Sequence, residues 1–309
     1  MGGRVVTAAQ RAAWRRGSTL ALALALGAAD ALAWCRTTTL SPQTDPLVCP
    51  AAGLAVAWPY GCASVHLDPR LPAVGAVALD DLRRVTAASL DAWASAVCDA
   101  ASDLHPGFRL RLLGDLAVPV GYAEGGANAN TVVLRDRWEG DAFHAPDAAA
   151  LTVVTFNHDT GAILDADLEL NVRGPDNPRG MIFTLGDGAG VDLQSTLTHE
   201  LGHAQGLAHS ADGDAVMWAL LGRGEQRRAP TADDALGLCV AYPPRDVSRC
   251  DPSLNGLRLH GRGAACGVGP RPGSRPAVAW AVVGLAALAL AGARRSTRRP
   301  RARRPTPTR

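Results

Sequence analysis

Apolar residues recur at helical spacing from Asp80 to Val97, where Leu82, Val85, Thr86, Leu90, Trp93 and Val97 share one face, and this predicts a long amphipathic helix. The period then changes. Phe108 to Leu113 and Thr131 to Arg135 are short strand candidates, and the β-branched run Leu151 to Phe156 suits a buried strand. From Leu164 onward Leu164, Ala166, Leu168, Leu170 and Val172 alternate with Asp165, Asp167, Glu169 and Asn171, the pattern of a half-buried strand with one acidic face. His158-Asp159-Thr160-Gly161 fits a turn between these two strands. A second helix is predicted to begin near Asp192 and a third near Thr231, where Thr231-Ala232-Asp233-Asp234 resembles a capping box with Asp in place of Glu. Helix, strands, helix, loop and helix, in that order, predict an α+β domain over residues 55–245. Residues 34–54 form an extension before it, and the Gly-, Pro- and Arg-rich stretch 246–276 reads as a linker.

Both ends depart from this pattern. Arg4, Arg11, Arg15 and Arg16 precede an apolar run from Leu20 to Ala33 that ends in Ala31-Leu32-Ala33, so residues 1–33 read as a secretory signal peptide with a cut after Ala33. Residues 277–293 are uncharged and are followed at once by Arg294-Arg295. As a helix this run spans roughly 25 Å, close to the thickness of a hydrocarbon core, and is predicted to cross a membrane. The arginine excess in 294–309 then places that tail in the cytoplasm and the main domain outside. An arginine tail also suits nucleic acid, but the adjacent apolar run argues against a nucleic-acid partner.

The charge count sharpens this division. The 309-residue chain has a formal charge of +2, and every one of its 31 basic residues is arginine. Between Trp34 and Ala265, however, 17 arginines face 28 acidic residues, a net of −11. A mixed-charge chain with 47% hydrophobic residues and no repeat is neither wholly disordered nor fibrous. The acidic body is expected to be an exported monomer of the cell envelope or surface. Seven cysteines support export: Cys35, Cys49, Cys62, Cys98, Cys239 and Cys250 suit three disulfides in an oxidising compartment, and Cys266 is left over. Of the fifteen pairings the reading adopts Cys62 with Cys98, Cys239 with Cys250 and Cys35 with Cys49.

The chemistry concentrates in Thr198-His199-Glu200-Leu201-Gly202-His203-Ala204-Gln205-Gly206-Leu207-Ala208-His209-Ser210, which contains H-E-x-x-H followed by x-x-G-x-x-H. On a helix His199 and His203 are four apart and project from one face, where two imidazoles reach one zinc ion. Leu193, Leu197, Leu201 and Ala204 lie on the other face and can enter the core. Continuing the helix would carry His209 about 120° off the ligand face and about 9 Å along the axis. Gly206, free to take positive φ, ends the helix and turns His209 back as the third ligand. Three protein ligands leave a fourth position open for water, whose pKa zinc lowers toward roughly 7. Glu200, beside a ligand, is placed to take the water's proton as general base and pass it to a leaving amine. His66, His105, His144, His158 and His260 have no such arrangement.

This motif, with Met217 eight residues after His209 in Ala215-Val216-Met217-Trp218, resembles the metzincin clan of zinc endopeptidases, whose Met-turn lies beneath the metal. Ser210 after the third histidine, and Asp233-Asp234-Ala235-Leu236-Gly237 leading to Tyr242, are most similar to the matrixin branch; Ala219 stands where astacin-like members carry a Tyr. The resemblance implies a twisted mixed sheet with a long N-terminal helix, an active-site helix and a C-terminal helix. It also implies a shallow cleft rimmed by an edge strand and a pocket beside the Met-turn. No P-R-C-G motif precedes the domain, so the resemblance carries no latency mechanism with it. Leu164 to Asn171, with Leu164, Ala166 and Leu168, is the candidate rim strand for an extended polypeptide substrate. Asp165, Asp167 and Glu169 either offer oxygen ligands to calcium or form a solvated strand face. Separately, Cys266-Gly267, the Pro/Gly-rich spacer, the apolar run and the arginine cluster resemble the C-terminal sorting signal of myxobacterial envelope proteins, which implies cutting and lipid modification near Cys266. Three functions follow: a zinc endopeptidase, a zinc hydrolase of another amide such as a cell-wall peptide, and a non-catalytic surface adhesin or structural protein that keeps the metal fold. The intact Glu200 favours catalysis, because a site of ligands alone has no need of that carboxylate.

Overall fold

A computed structural model describes residues 33–254 apart from 41–44, 46, 71–76 and 139–143, together with 257–258 and 278–287. The expected signal peptide up to Leu32, Cys266 with the sorting spacer, and the basic tail lie outside the described residues. In chain order the elements are β1 (Cys35–Arg36), β2 (Cys62–Leu67), α1 (Leu79–Ala94), β3 (Arg109–Leu112), β4 (Asn128–Ala129), β5 (Thr131–Arg135), β6 (Ala148–Asn157) and β7 (Ile163–Asn171). They continue with β8 (Phe183–Thr184), β9 (Val191–Asp192), α2 (Leu193–Ala204), β10 (Leu207–Ala208), α3 (Ala232–Ala241), β11 (Leu257–Arg258) and β12 (Val278–Ala287). The fold is α+β, as the pattern predicts.

One mixed sheet dominates, in the order β12-β6-β7-β5-β2-β3. β3, β2, β5 and β7 run parallel, whereas β6 is antiparallel to β7, joined to it by the turn at 158–160. The two long helices cover one face. Leu82, Val85, Leu90 and Trp93 of α1 and Leu193, Leu197, Leu201 and Ala204 of α2 close over Val65, Leu67, Val132, Val154, Ala166, Leu168 and Leu170 of the sheet. Burial of this apolar area, at roughly 25 cal/mol per Å², fixes α2 by its core face and leaves its opposite face for chemistry.

Four expectations are corrected. β7 is not a rim: it lies between β6 and β5, both of which pair with it, so Leu164, Ala166 and Leu168 present no free edge to a substrate. Nor is its acidic row solvated, since Asp165, Asp167 and Glu169 are only 1%, 1% and 2% exposed. Loops and the neighbouring strand supply partners: the Gly121 N–H from a loop and the Thr131 N–H of β5 donate to Asp167 at 2.6 and 2.9 Å, and Arg135 of β5 and His144 meet Glu169. Burial and the neighbouring Asp167 push the Asp165 carboxyl well up, and burial raises Asp167 to about 6. An alternating strand with loops packed on its polar side has the same sequence pattern as one facing water.

The disulfides are the third correction. Cys35 bonds Cys49, but Cys62 bonds Cys250 and Cys98 bonds Cys239, in place of Cys62–Cys98 and Cys239–Cys250. Both long bridges join the start of the sheet and the end of α1 to the C-terminal part of the domain, closing loops of 188 and 141 residues. The Cys62–Cys250 bond ties the beginning of the stretch after 245 to β2, and β11 pairs with β4. Last, residues 278–287 of the predicted apolar helix run instead as β12, antiparallel to β6 from Val278 opposite Asn157 to Ala287 opposite Ala148. The outer N–H and C=O groups of β6 offer backbone partners that a Val-rich run can take as a strand. Among the described residues no helix is long and apolar enough to cross a membrane.

Candidate metal centre

Helix α2 begins at Asp192, whose side chain accepts from the Ser195 N–H at 2.8 Å and hydroxyl at 2.7 Å. Burial pushes the Asp192 carboxyl up, but the Arg228 guanidinium and Ser195 outweigh it and hold the group below its ordinary value. This cap sets the register of the helix. Two tryptophans hold its backbone from the core side: Trp93 Nε1 donates to the Thr198 carbonyl at 2.7 Å and Trp58 Nε1 to that of Ala204 at 2.8 Å. Buried Tyr242 completes the clamp, donating to the Gln205 carbonyl at 2.9 Å and accepting from the Trp58 N–H at 3.0 Å.

The chain leaves the helix at Gly206, which has φ of +89°. A Cβ there would lie 2.2 Å from the Val56 carbonyl oxygen, so both the handedness and the space require glycine. The turn brings His209 back beside His199 and His203, with ring centroids 5.3 and 4.9 Å away. All three are buried, and one ligand nitrogen from each lies within 4.8 Å of the others. Among the described residues this is the one group of three or more His, Cys, Asp or Glu side chains close enough to share an ion. Asp165, Asp167 and Glu169 do not form such a group.

The tautomers follow from the hydrogen bonds. His199 Nδ1 lies 2.7 Å from the Val216 carbonyl and His203 Nδ1 lies 2.9 Å from that of Leu207. A carbonyl only accepts, so each Nδ1 carries the proton and each Nε2 of the neutral ring is a bare lone pair. Yet the two Nε2 atoms are 3.0 Å apart. Two lone pairs at that distance repel unless a cation sits between them. Burial lowers His199 to about 4 and His209 to about 3, and lowers His203 well below its ordinary value, so a proton is a poor candidate for that cation at neutral pH. Three neutral imidazoles with no protein carboxylate among them fit zinc with an open position.

Glu200 is fully buried beside this cluster. Its Oε2 accepts from Thr152 Oγ1 on β6 at 2.6 Å, and its Oε1 has no hydrogen-bond partner among the described residues. Burial pushes the carboxyl up to about 8, against the Thr152 bond that pulls it down. The same hydroxyl lies 3.1 Å from the Glu200 carbonyl, the longer branch of a bond shared by its single proton. The sequence pattern did not single out Thr152; it stood inside an apolar run.

Beneath the histidines runs the segment Ala215 to Trp218. The Ser210 N–H donates to the Met217 carbonyl at 2.9 Å, and the Val216 carbonyl orients His199 as above. Asp234 fixes this segment: its two oxygens accept from the Val216 and Met217 N–H groups at 2.8 and 3.0 Å while also closing the predicted capping box with Thr231. Met217 itself packs against α2 at Gly202. A Cβ at position 202 would lie 2.3 Å from Met217 Sδ and 2.8 Å from Trp93 Cζ2. Gly202→Ala is therefore expected to cost about 1–3 kcal/mol by overpacking, measured by urea denaturation, despite the better helix propensity of alanine. A pocket opens beside the turn, lined by His199, Glu200, Val216, Trp218, Leu221 and Arg227 among others.

Comparison with known proteins points the same way. Residues 126–243 match the matrixin family of peptidases, a range that adds β5, β6 and β7 to the helix and turn that carry the motif. The chain is similar to human (Homo sapiens) matrilysin, 27% identical over 167 residues, covering 54% of this chain and 52% of that protein. It is also similar to metalloendoproteinase 1-MMP of Arabidopsis thaliana, 41% identical over 61 residues, covering 20% of this chain and 17% of that protein. The chain thus spans about half the length of the first relative and a smaller share of the second.

Proposed function

We propose that the protein is an exported zinc endopeptidase that hydrolyses peptide bonds of extracellular or envelope polypeptides. The observation that carries this reading is the pair of deprotonated Nε2 atoms of His199 and His203 at 3.0 Å, with His209 beside them and the carboxyl of Glu200 next in sequence. His199, His203 and His209 would hold the ion, which when bound supplies a Lewis acid that polarises the scissile carbonyl and acidifies water. The protein groups then divide the remaining work. Glu200 Oε1, without a hydrogen-bond partner among the described residues, accepts the proton of the attacking water. Thr152 holds Oε2 so that the carboxylate keeps one orientation through both transfers. The same carboxyl then gives the proton to the amine nitrogen as the peptide bond breaks. The pocket beside Met217 receives a substrate side chain next to the scissile bond, and its Trp218 and Leu221 lining favours apolar residues.

Export is supported by the three disulfides. The test is to purify the chain from Trp34 onward, measure its zinc content, and incubate it with an unstructured protein and a broad peptide library, with a Glu200 variant as control. Cleavage by the zinc-loaded protein alone supports the reading. Zinc-loaded protein that cuts no better than the control would leave the non-catalytic adhesin, and cleavage confined to cell-wall peptides would leave the hydrolase of another amide.

A further inference from the structure

We propose that the outer edge of β3 is a docking site for an extended acidic segment of a polypeptide partner, which adds to the sheet as a further strand with alternate carboxylates set against Arg109 and Arg111. The site lies outside the metal centre. In the order β6-β7-β5-β2-β3, four strand spacings separate β3 from β6, roughly 19 Å from the strand whose Thr152 holds Glu200.

One side of β3 is open. The Arg109 and Leu113 N–H groups donate to the Gly61 and Val65 carbonyls at 3.0 and 2.9 Å, so Leu110 and Leu112 turn their N–H and C=O groups the other way. Among the described residues β2 is the sole strand paired with β3. Side chains alternate across the strand: Leu110 and Leu112 pack into the core, which sets Arg109 and Arg111 together on the opposite face.

A third arginine is built into place beside them. The Gly107 N–H donates to the Tyr242 carbonyl at 2.9 Å, and the Gly107 carbonyl accepts from Arg245 Nε at 3.0 Å, which brings the segment after α3 against the chain entering β3. A Cβ at Gly107 would lie 2.3 Å from the Pro243 carbonyl oxygen and 2.6 Å from Arg245 Cγ, so glycine is what admits this approach. The Cys62–Cys250 bond anchors the same segment. Between it and β3 runs a groove lined in part by Arg109, Arg111 and Arg245.

None of these three arginines forms an ion pair among the described residues. Two carboxylates also lie on the groove, but Asp246 is turned to the Ser248 N–H at 2.8 Å, and the cation near Asp103 is His105 at 3.7 Å. In a body of net charge −11 this is a local exception, and it selects the strand that can dock. Charged side chains on an edge deter strand addition in general. An acidic strand reverses that effect: rising about 3.3 Å per residue, it places carboxylates from every second position directly opposite Arg109 and Arg111. The chain's own two ends do not supply such a strand, because their charges are mostly arginine.

The test is fluorescence anisotropy on the full chain carrying Glu200→Gln, which leaves the probe uncut, with a labelled peptide of alternating Asp and Thr. Saturable binding is expected, weakening as salt is raised. Arg109→Gln together with Arg111→Gln should weaken it about 2–30-fold at low salt, as for the loss of two exposed ion pairs. Arg111 is exposed, so Arg111→Glu alone gives the same reading should the double variant fail to fold. A peptide with its Asp residues grouped at one end loses the register, and one N-methylated along its backbone loses the ladder, so both should bind far more weakly. Undiminished binding to the arginine variants, or equal binding of an alternating Lys and Thr peptide, of the grouped peptide or of the N-methylated one, overturns the proposal. So does the absence of saturable binding, or binding of a sulfated polysaccharide where the peptide does not bind. Anisotropy is read without cleavage, so its failure leaves the peptidase reading to its own test.

Discussion

Glu200→Gln is expected to lower kcat/KM on an unstructured polypeptide by about 10²–10⁴-fold, the usual contribution of a positioned general base, with zinc content unchanged. The substitution is close to isosteric. A Gln carbonyl can still accept from Thr152, so the packing of β6 on α2 has no reason to change. Removing the ionisable group should even relieve the metal-free protein. Burial raises the Glu200 carboxyl from 4.5 to about 8, so the folded state holds the proton more tightly than the unfolded one. Stability contributed by a group with a raised pKa is complete below the unfolded value and is lost as pH rises through the folded one. Metal-stripped wild type should therefore lose stability relative to Glu200→Gln between pH 4.5 and about 8, seen as diverging melting temperatures. A rate loss below tenfold would assign the base elsewhere, and parallel melting curves would show that the carboxyl is hydrated in the metal-free site.

The part of the site readable in the sequence is the part whose geometry is local. Four-residue spacing on a helix and one glycine with a required φ define where His199, His203 and His209 can go, and both rules act within a dozen residues. The capping box at Thr231 was readable for the same reason. What was not readable depends on chain segments that meet only in the fold. Cysteine spacing along the chain is silent about Cys62 with Cys250, which are 188 residues apart yet have Cα atoms at 5.9 Å. β2, Cys-Ala-Ser-Val-His-Leu, gives no alternation because it is buried on both faces; its His66 ring meets the Gly114 carbonyl, and its Ser64 carbonyl accepts from the Asn130 side-chain amide. Thr152 is a threonine in a β-branched run until α2 is laid over it. The acidic row of β7 misleads most directly, because carboxylates given N–H donors by a loop and by β5 look, in sequence, like carboxylates given to water.

Asp234→Ala is expected to cost about 3–7 kcal/mol, a large share of the stability of a typical domain, although the residue touches neither metal ligand nor substrate. Its two oxygens accept from the Val216 N–H, the Met217 N–H, the Thr231 N–H and the Thr231 hydroxyl. The Val216 and Met217 groups are buried, and each left without an acceptor costs about 1–3 kcal/mol. Loss of the reciprocal cap on α3 adds about 1 kcal/mol. The effect should reach the metal as well, since the Val216 carbonyl holds His199 Nδ1 and thereby the tautomer that offers Nε2. Zinc affinity should fall about 10–100-fold, as for other groups that orient a ligand from outside the coordination shell. Asp234→Asn should be intermediate, because one amide oxygen replaces two acceptors and its NH₂ meets a backbone N–H. Urea denaturation with and without zinc separates the two consequences. If Asp234→Ala loses stability by the same amount in both conditions, the turn keeps its shape without the carboxylate and Asp234 acts only as a helix cap. A larger loss with zinc present would show that the capping box of α3 and the orientation of His199 depend on one side chain.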